Sequence, residues 1–535
     1  MHADWWRDAV VYQVYPRSFA DADGDGTGDL PGVLEHLDHL VDLGVDTVWL
    51  SPFYPSPGVD AGYDVSDYRD VDPVFGTLAD LDALLSRAHA AGLRVLVDLV
   101  PNHTSSAHPW FVEALASEPG SAARARYVFA TGTADRPPND WESNFGGPAW
   151  ERVPETDQWY LHVFAAGQPD LNWRNPEVRA EFEDVLRFWL DRGVDGFRVD
   201  VAHGLMKAEG LPDRGGTFIG AVEAGGDAGP MWDQDEVHDI YREWHALLAA
   251  YEPPRILVAE AWTRPERLHH YIRSDEMQQA FNFAYLAAGW GARRFADVIT
   301  SSVEMASSVG AVATWVISNH DVVRPVSRLG RPDSNVWPNG IGPDHPSPDH
   351  GLGLERARAL ALLTLALPGS AYVYQGEELG LPDHVRIPPE SRRDPMFVRT
   401  GGAMVGRDGA RVPLPWRHDA PGYGFGSPGH EPWLPQPAEY AALAVDVQAA
   451  DPHSTLALYR HLIALRREHG LGRAQLLDAR ADEDGVLRVR TSAVEIVVTM
   501  GAAPARVDGT VIAASAPDAV SGGLLRPDAA VWLLS

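Results

Sequence analysis

The sequence predicts an α/β fold, a (β/α)8 TIM barrel with an inserted domain after its third strand and a C-terminal antiparallel β domain. Short apolar runs of strand length alternate with longer helical patterns, which is typical of parallel βα units. Two connections are too long to be simple loops, and the chain ends in short alternating runs typical of antiparallel strands. A length of 535 residues also exceeds one core of ordinary size, so we expect a large domain with attached units.

Eight apolar runs are candidate barrel strands, and several are almost continuously apolar, as strands covered by helices should be. In barrels of this kind the chemistry lies at the carboxyl ends of the strands. An open doubly wound sheet is the alternative architecture. It normally has a glycine-rich phosphate loop after its first strand, which this sequence lacks. The predicted strands are 10–19, 47–52, 94–100, 196–202, 255–261, 278–285, 313–320 and 371–379.

Helical signals occupy the segments between these strands. Residues 78–92 and 177–193 have apolar residues spaced by three and four, and each ends in a glycine that stops a helix. A further helix is predicted at about 453–469, ahead of the terminal strands.

The domain organisation follows from the long connections. Residues 1–102 and 171–469 form the two parts of the barrel, and 103–170, rich in Trp, Pro, Gly and Asn, form the inserted domain. A second insertion falls at about 380–450 within the second barrel part. Residues 470–535 form the C-terminal β domain.

Charge and composition narrow the classes of partner. A formal net charge of −31 opposes binding to nucleic acid and to anionic membranes, so a neutral or cationic small ligand is expected. The sequence has no cysteine, which excludes disulfides and thiol catalysis. Its first residues lack the pattern of a secretory signal and no apolar run spans a bilayer, so a cytoplasmic protein is expected. The oligomeric state is not predicted.

Charged and polar motifs follow several of the predicted strands. Taken singly, each has an ordinary structural explanation as a turn former, a buried ion pair or a helix cap. Together they converge on one face of the barrel, which turn chemistry does not require. The motifs are DLVPNH from Asp98 to His103, RVD from Arg198 to Asp200, Glu260, and the pair His320 and Asp321.

Several acids in one apolar-walled pocket indicate glycoside cleavage, in which one carboxylate attacks the anomeric carbon and a protonated one serves the leaving oxygen. Arg198 and Asp200 lie two apart on a strand and point to the same side, so the arginine is expected to hold Asp200 ionised. Glu260 follows the apolar run ILVA, and burial is expected to raise its pKa toward that of a general acid.

With these motifs the chain resembles the α-amylase superfamily, glycoside hydrolase family 13, over essentially its whole length. DLVPNH at 98–103, GFRVD at 196–200, VAEAW at 258–262 and SNHD at 318–321 are similar to its ordered motifs. QPDLNW at 168–173 and YQGEELG are similar to its accessory motifs. The resemblance implies a retaining exo-acting α-glucosidase that binds a small oligosaccharide or α-glucoside.

The resemblance also implies roles for individual residues. Asp200 would be the nucleophile, Glu260 the general acid/base and Asp321 the carboxylate that stabilises the distorted sugar. In the substrate-binding set, His103 and His320 would bind glucosyl hydroxyls, Arg198 would steady the nucleophile, Tyr63 would lie under the sugar ring, and Asp64 with Arg324 would clamp the terminal glucose. A surface ion pair is the alternative for Asp64 and Arg324.

The linkage preference stays open between α-1,4 and α-1,6 bonds. Val201, after the proposed nucleophile, accompanies α-1,6 cleavage in related enzymes. The continuation VAHGL differs from the usual one, and a contact of this size discriminates by only about 1 to 3 kcal/mol.

The acidic run DADGDGTGD at 21–29 predicts a structural cation. Its carboxylates recur at every second position with intervening glycines, a spacing of oxygen ligands suited to calcium or, less readily, magnesium. An acidic solvated turn is the alternative. The predicted ligands are Asp21, Asp23, Asp25, Thr27 and Asp29.

The sequence leaves two alternative functions open. A transglucosidase or sucrose isomerase would use the same covalent glucosyl intermediate and pass it to a sugar. A non-catalytic amylase-like binding protein would have lost catalytic acids, whereas Asp200, Glu260 and Asp321 are all present here.

Overall fold

The computed structural model describes residues 4–215, 229–335, 338–427 and 429–534. Eight parallel strands form its central sheet, and each falls within or next to a run predicted from the sequence. The ladder follows the order β7-β8-β1-β2-β3-β4-β5-β6, a nearly closed barrel. The strands are β1 Val10–Val14, β2 Thr47–Leu50, β3 Arg94–Leu99, β4 Gly196–Val199, β5 Ile256–Ala259, β6 Gln279–Ala280, β7 Thr314–Val316 and β8 Ser370–Tyr374.

These strands are buried along almost their whole length because helices cover their outer faces. Register is parallel throughout, with Asp98 opposite Arg198 and Arg198 opposite Val258 on neighbouring strands. Parallel register brings the carboxyl ends of all the strands to one rim. The barrel fold predicted from the sequence is confirmed.

The predicted helices form, and side chains cap the first turns of two of them. Leu78–Ala90 begins with a capping box in which Thr77 and Asp80 bind each other's backbone amides. Pro176–Asp191 begins at Asn175, whose side chain accepts the amide of Glu177. The other α-helices are Leu30–Glu35, Leu37–Leu43, Pro109–Ala116, Ala122–Ala125, Val237–Leu248, Phe283–Leu286, Ala292–Ser308, Pro325–Leu329, His350–Ala366, Pro395–Arg399, Val445–Ala450 and Thr455–Glu468.

The long connection after β3 contains a small antiparallel sheet of three strands, Phe129–Thr131, Gln158–Leu161 and Trp150–Arg152 in spatial order. An isolated bridge between His103 and Asp170 joins the two ends of this segment. The bridge therefore holds the inserted segment over the rim where β3 ends.

The C-terminal region is antiparallel, as expected. Its main sheet has five strands, and Trp532 on the last of them donates its indole N–H to the carbonyl of Leu362 at 2.9 Å, so the sheet packs on the helix His350–Ala366. The strands of this sheet are Leu476–Ala481, Val486–Thr491, Val494–Thr499, Thr510–Ala514 and Ala529–Leu534, and short strands at Ala505–Arg506, Val520–Ser521 and Leu524–Leu525 form a second sheet. In the ranges given above, no helix is both long and apolar enough to cross a bilayer.

Candidate active site

Three carboxylates that are far apart in sequence line one cavity at the carboxyl rim of the barrel. Asp200 directly follows β4, Glu260 directly follows β5, and Asp321 lies in the connection after β7. The cavity has a volume of about 410 Å³, enough for a sugar-sized ligand. Only 6% of Asp200 and 8% of Glu260 is exposed, so both acids lie in a largely water-excluded floor.

Arg198 lies at the centre of this floor and contacts three carboxylates. Its Nη1 donates to Oδ1 of Asp200 at 2.6 Å and to Oδ1 of Asp98 at 2.7 Å. Its Nη2 lies 3.2 Å from Oε2 of Glu260. Arg198 and Asp200 are two apart at the end of one strand and so reach the same side, as predicted.

The pKa of Asp200 does not move in the direction expected from the sequence. Burial raises the pKa of Asp200 well above its usual range, and the carboxylates of Glu260 and Asp98 raise it further against the opposing charge of Arg198. Burial likewise raises the pKa of Glu260. One guanidinium shared by three carboxylates does not offset their desolvation, so the pKa of both Asp200 and Glu260 is raised.

Glu260 is held in place by two donors. The backbone N–H of Val201 donates to its Oε2, and the indole N–H of Trp262 donates to its Oε1, each at 2.8 Å. Val201 has a φ of 48°, a left-handed conformation that is strained for a β-branched residue. This turn directs the amide that follows Asp200 toward Glu260 and so fixes the position of one acid relative to the other.

A second cationic group, absent from the sequence predictions, surrounds Asp321. Arg407 donates to Oδ1 of Asp321 at 2.9 Å, and Arg411 donates to the same oxygen at 2.8 Å. Arg407 also pairs with Asp60 at 2.7 Å and with Asp394 at 2.6 Å. Both arginines come from the insertion after β8, which therefore closes one side of the cavity.

These contacts separate the protonation of Asp321 from that of its neighbours. Burial opposes ionisation of Asp321, but His320, Arg407 and Arg411 together lower its pKa below the usual range. Burial raises the pKa of Asp60 to about 6 in spite of Arg407 and Arg411. Asp321 is therefore ionised at neutral pH.

The structure corrects the prediction that Asp64 and Arg324 clamp the terminal glucose. Among the described residues, Asp60 and Arg407 line the cavity in their place. Asp64 is buried in its own loop, where it accepts hydrogen bonds from Ser56 and from the amides of Val59 and Asp60. Arg324 is turned beneath the rim and donates to the carbonyls of Gln375 and Ala410, each at 2.8 Å.

Tyr63 and His103 line the cavity, and His320 is fully buried against the ring of Tyr63. Tyr63 and His320 stack with centroids 5.2 Å apart, and the hydroxyl of Tyr63 donates to Asp98 at 3.0 Å. Burial lowers the pKa of His103 to about 4 and lowers that of His320 well below its usual value. Both imidazoles are therefore neutral near pH 7 and able to donate to or accept from hydroxyls.

Aromatic and flexible apolar side chains form the outer walls of the cavity. None of them was predicted from the sequence, although the Trp of the VAEAW motif was a visible signal for Trp262. The wall residues are Phe145, Phe164, Trp232, Trp262, Met396 and Met404, together with His203, whose ring stacks on Trp232 with centroids 4.9 Å apart.

In the acidic loop, the structure brings together three of the five predicted cation ligands. Oxygen atoms of Asp21, Asp23 and Asp29 lie within 4.8 Å of one another. Asp21 accepts the amides of Gly24 and Gly26, and Asp29 caps the helix Leu30–Glu35. Among the four predicted carboxylates Asp25 lies outside this group, and it accepts the amide of Thr27 at 2.7 Å.

Comparison with known proteins agrees with this geometry. The protein-family model of the α-amylase catalytic domain matches residues 13–473 of this chain. A probable α-glucosidase of Rhizobium meliloti (strain 1021) is 39% identical over 504 residues, covering 91% of this chain and 87% of that protein. An oligo-1,6-glucosidase of Parageobacillus thermoglucosidasius is 36% identical over 508 residues, covering 88% of this chain and 85% of that protein.

Among solved structures, an α-glucosyl transfer enzyme matches with a TM-score of 0.85 and 36% sequence identity over 99% of both chains. Three findings agree on the family of this chain. The catalytic-domain model matches most of its length, its relatives are more than 30% identical, and the barrel is shared. The chain belongs to the α-amylase family and is a glycoside hydrolase.

Proposed function

We propose that this protein is a retaining, exo-acting α-glucosidase that releases glucose from the non-reducing end of short α-glucosides. The observation that carries the proposal is the single cavity lined by Asp200, Glu260 and Asp321 and bounded on one side by the ion pair of Asp60 and Arg407. Two carboxylates that flank a scissile bond, with a third nearby, are what hydrolysis through a covalent intermediate requires.

In the first step, an oxygen of Asp200 attacks the anomeric carbon while the bond from that carbon to the leaving oxygen breaks. In the reactive form Asp200 is ionised and Glu260 carries a proton, because Asp200 accepts the shorter bond from Arg198, at 2.6 Å against 3.2 Å for Glu260. Glu260 delivers this proton to the leaving oxygen, and the glucosyl group remains as an ester on Asp200.

In the second step, Glu260, now ionised, removes a proton from water, whose oxygen attacks the anomeric carbon and expels the carboxylate of Asp200. Two inversions give overall retention. Asp321, which is ionised throughout, faces the cavity and stabilises the positive charge that develops on the sugar in both transition states.

Exo action follows from the shape of one side of the cavity. Asp60 and Arg407 are joined at 2.7 Å and both line it, so they place a charged wall beside a terminal sugar instead of leaving an open cleft. A carboxylate and a guanidinium bind sugar hydroxyls through charge-assisted hydrogen bonds. We propose that this pair has the role that the sequence alone assigned to Asp64 and Arg324.

Transfer of the glucosyl group to a sugar is the second candidate function. The match to an α-glucosyl transfer enzyme favours it, since such a protein needs the same ester on Asp200. Water and an acceptor hydroxyl compete for one intermediate, so the walls of the cavity decide the outcome. We propose that His203 and Trp232, which stack on each other and line the cavity, contact the acceptor sugar.

The experiment is to treat maltose, isomaltose and sucrose with the pure protein and to follow the products by NMR. Glucose released first as its α-anomer supports the proposal. β-Glucose would contradict retention, and disaccharide isomers or longer oligomers as the main products would favour transfer. Asp200→Asn should abolish turnover of all three sugars, and undiminished turnover by that variant would exclude Asp200 as nucleophile.

We also propose that the acidic loop binds one structural calcium ion, with magnesium as the weaker competitor. The oxygen donors of Asp21, Asp23 and Asp29 suit a hard cation. Burial raises the pKa of both Asp21 and Asp29, so their charges are costly without a cation beside them. The ion would brace the turn that leads from β1 into the helix Leu30–Glu35 and would take no part in the chemistry.

A further inference from the structure

A group of metal-ligating side chains lies beside the connections that follow β4 and β5, apart from both the cavity and the acidic loop. Asp235 and His238 lie at the start of the helix Val237–Leu248, and His270 lies on the 3-10 helix Pro265–Ile272. One possible ligand atom from each of the three residues lies within 4.8 Å of the other two.

The surroundings of His238 suit it to bind a metal ion. Its side chain is 3% exposed, and its Nδ1 lies 2.8 Å from Oε2 of Glu276. Glu276 also pairs with Arg273 at 2.5 Å and with Arg242 at 3.4 Å, so it is the acceptor in its contact with His238 and Nδ1 carries the hydrogen. A carboxylate behind an imidazole is the usual support of a metal-binding histidine.

The other ring nitrogen of His238 is then left with a lone pair. Nε2 is buried and has no hydrogen-bond partner among the described residues. A buried polar atom without a partner is costly, and a metal ion at this position would satisfy it. This orphaned nitrogen is an observation independent of the clustering of the three side chains.

The remaining two ligands have room to adjust. The rings of His238 and His270 have centroids 5.6 Å apart, and His270 is partly exposed. The side chain of Asp235 is 83% exposed, and one of its oxygens pairs with Arg267 at 2.7 Å while the second stays available. Ligand atoms around a tetrahedral zinc ion lie about 3.3 Å apart, given zinc–nitrogen bonds of about 2.0 to 2.1 Å. Because Asp235 is exposed and His270 is only partly buried, both side chains have space to rotate toward this spacing.

We propose that Asp235, His238 and His270 form a binding site for a divalent transition-metal ion of the zinc class, with water as a fourth ligand. Two imidazole nitrogens and one carboxylate oxygen suit zinc, whereas calcium and magnesium prefer oxygen alone. The site is therefore chemically distinct from the acidic loop at 21–29.

Occupancy of this site would join two connections that also shape the cavity. Tyr271, next to His270, donates to Asp233 at 2.7 Å, and the amide of Asp233 donates to the carbonyl of His203 at 2.7 Å. His203 and Trp232, the neighbour of Asp233, line the cavity wall. The bound ion would thus stabilise the segment that carries this wall. The site itself does not depend on the proposed glucosidase activity.

The test is calorimetric titration of Zn²⁺ into the untagged full-length protein, with excess Ca²⁺ present to saturate the acidic loop. One equivalent of zinc should bind to the wild type. His270→Ala and Asp235→Ala should each weaken binding at least tenfold, and both residues are exposed enough for the variants to fold. Zinc should also raise the unfolding temperature of the wild type but not that of the two variants.

Two further variants serve as controls. His461→Ala removes an exposed histidine elsewhere, and His418→Ala removes a member of a second group formed with Asp419 and Asp446. Both should bind zinc as the wild type does. The proposal is overturned if the wild type binds no zinc, if binding survives in both His270→Ala and Asp235→Ala, or if it is lost in His418→Ala.

Discussion

Replacing Asp60 by Asn tests whether the structure has identified the residue that holds the terminal sugar. The oxygen of Asp60 that accepts from Arg407 at 2.7 Å is retained in the amide, while the other oxygen becomes an NH₂ group that does not accept from a sugar hydroxyl. A hydrogen bond to a charged group contributes about 1.5 to 3 kcal/mol. We therefore expect kcat/KM for maltose to fall roughly 10- to 150-fold.

The variant should remain folded. Burial raises the pKa of Asp60 from 3.8 to about 6, so the folded state binds a proton more tightly than the unfolded state does. The contribution of protonated Asp60 to the free energy of unfolding is therefore lost as pH rises from about 4 to 6. Ionised Asp60 destabilises the folded protein at neutral pH. A neutral amide removes that cost, and Arg407 keeps Asp321 and Asp394 as partners.

The pH dependence and a matched variant complete the test. Because Asp60 becomes neutral below pH 6, the ratio of wild-type to Asp60→Asn kcat/KM should be largest above pH 6 and should approach one as pH falls through it. Asp64→Asn is the control: it should lower the unfolding temperature, since Asp64 accepts three hydrogen bonds within its loop, but leave kcat/KM nearly unchanged. A large loss in Asp64→Asn with none in Asp60→Asn would refute the reasoning.

Three other variants test the remaining assignments. Glu260→Gln should lower kcat/KM for maltose by about 10² to 10⁴ and should lower it much less for an α-glucoside with an acidic phenol as leaving group, which needs no proton; equal losses would count against Glu260 as the acid. Burial raises the pKa of both Asp200 and Glu260, and the charge of Asp321 raises both further. In Asp321→Asn the alkaline limb of the residual pH profile of kcat/KM should therefore move to lower pH. A shift to higher pH would contradict this. Calcium at a hundred times its Kd should stabilise the wild type by about 2.7 kcal/mol in thermal unfolding, and this gain should disappear in Asp23→Asn but persist in Asp25→Asn, which lies outside the ligand group.

The barrel and two of its three acids were predictable because local patterns determine them. Near-continuous apolar runs such as Ile256–Ala259 have to be buried on both faces, and parallel register then places the residue after each run at one rim. Asp200 and Glu260 each follow such a run directly. Their meeting in one cavity needed no information about distant contacts.

The clamp was not predictable in the same way because it depends on how one loop turns. Asp60 and Asp64 flank the same short segment, and either could have faced the cavity. The structure turns Asp64 inward, where the amides of Val59 and Asp60 occupy it, and leaves Asp60 at the cavity. Its partner Arg407 lies in the insertion after β8, outside the short helices Pro395–Arg399 and Val445–Ala450, where no apolar period places it.

A charge argument could have found the two missing arginines. A pocket that gathers several carboxylates requires cations, and the run GRDGAR within the second insertion supplies both Arg407 and Arg411. The pKa of Asp200 was misjudged for a related reason. Reading RVD along one strand pairs Arg198 with Asp200 alone, whereas the neighbouring strand adds Asp98 and the next adds Glu260 to the same guanidinium.

The excess of negative charge explains why the site keeps acids whose burial is unfavourable. A neutral sugar in its ground state gains little from the charges of Asp200 and Asp321, because the ligand has no net charge for them to attract. An oxocarbenium-like transition state brings positive charge to the point that these carboxylates surround, in a floor where little water screens it. The desolvation that raises the pKa of Asp200 is therefore recovered only in the transition state, and interactions of that kind raise kcat instead of merely lowering KM.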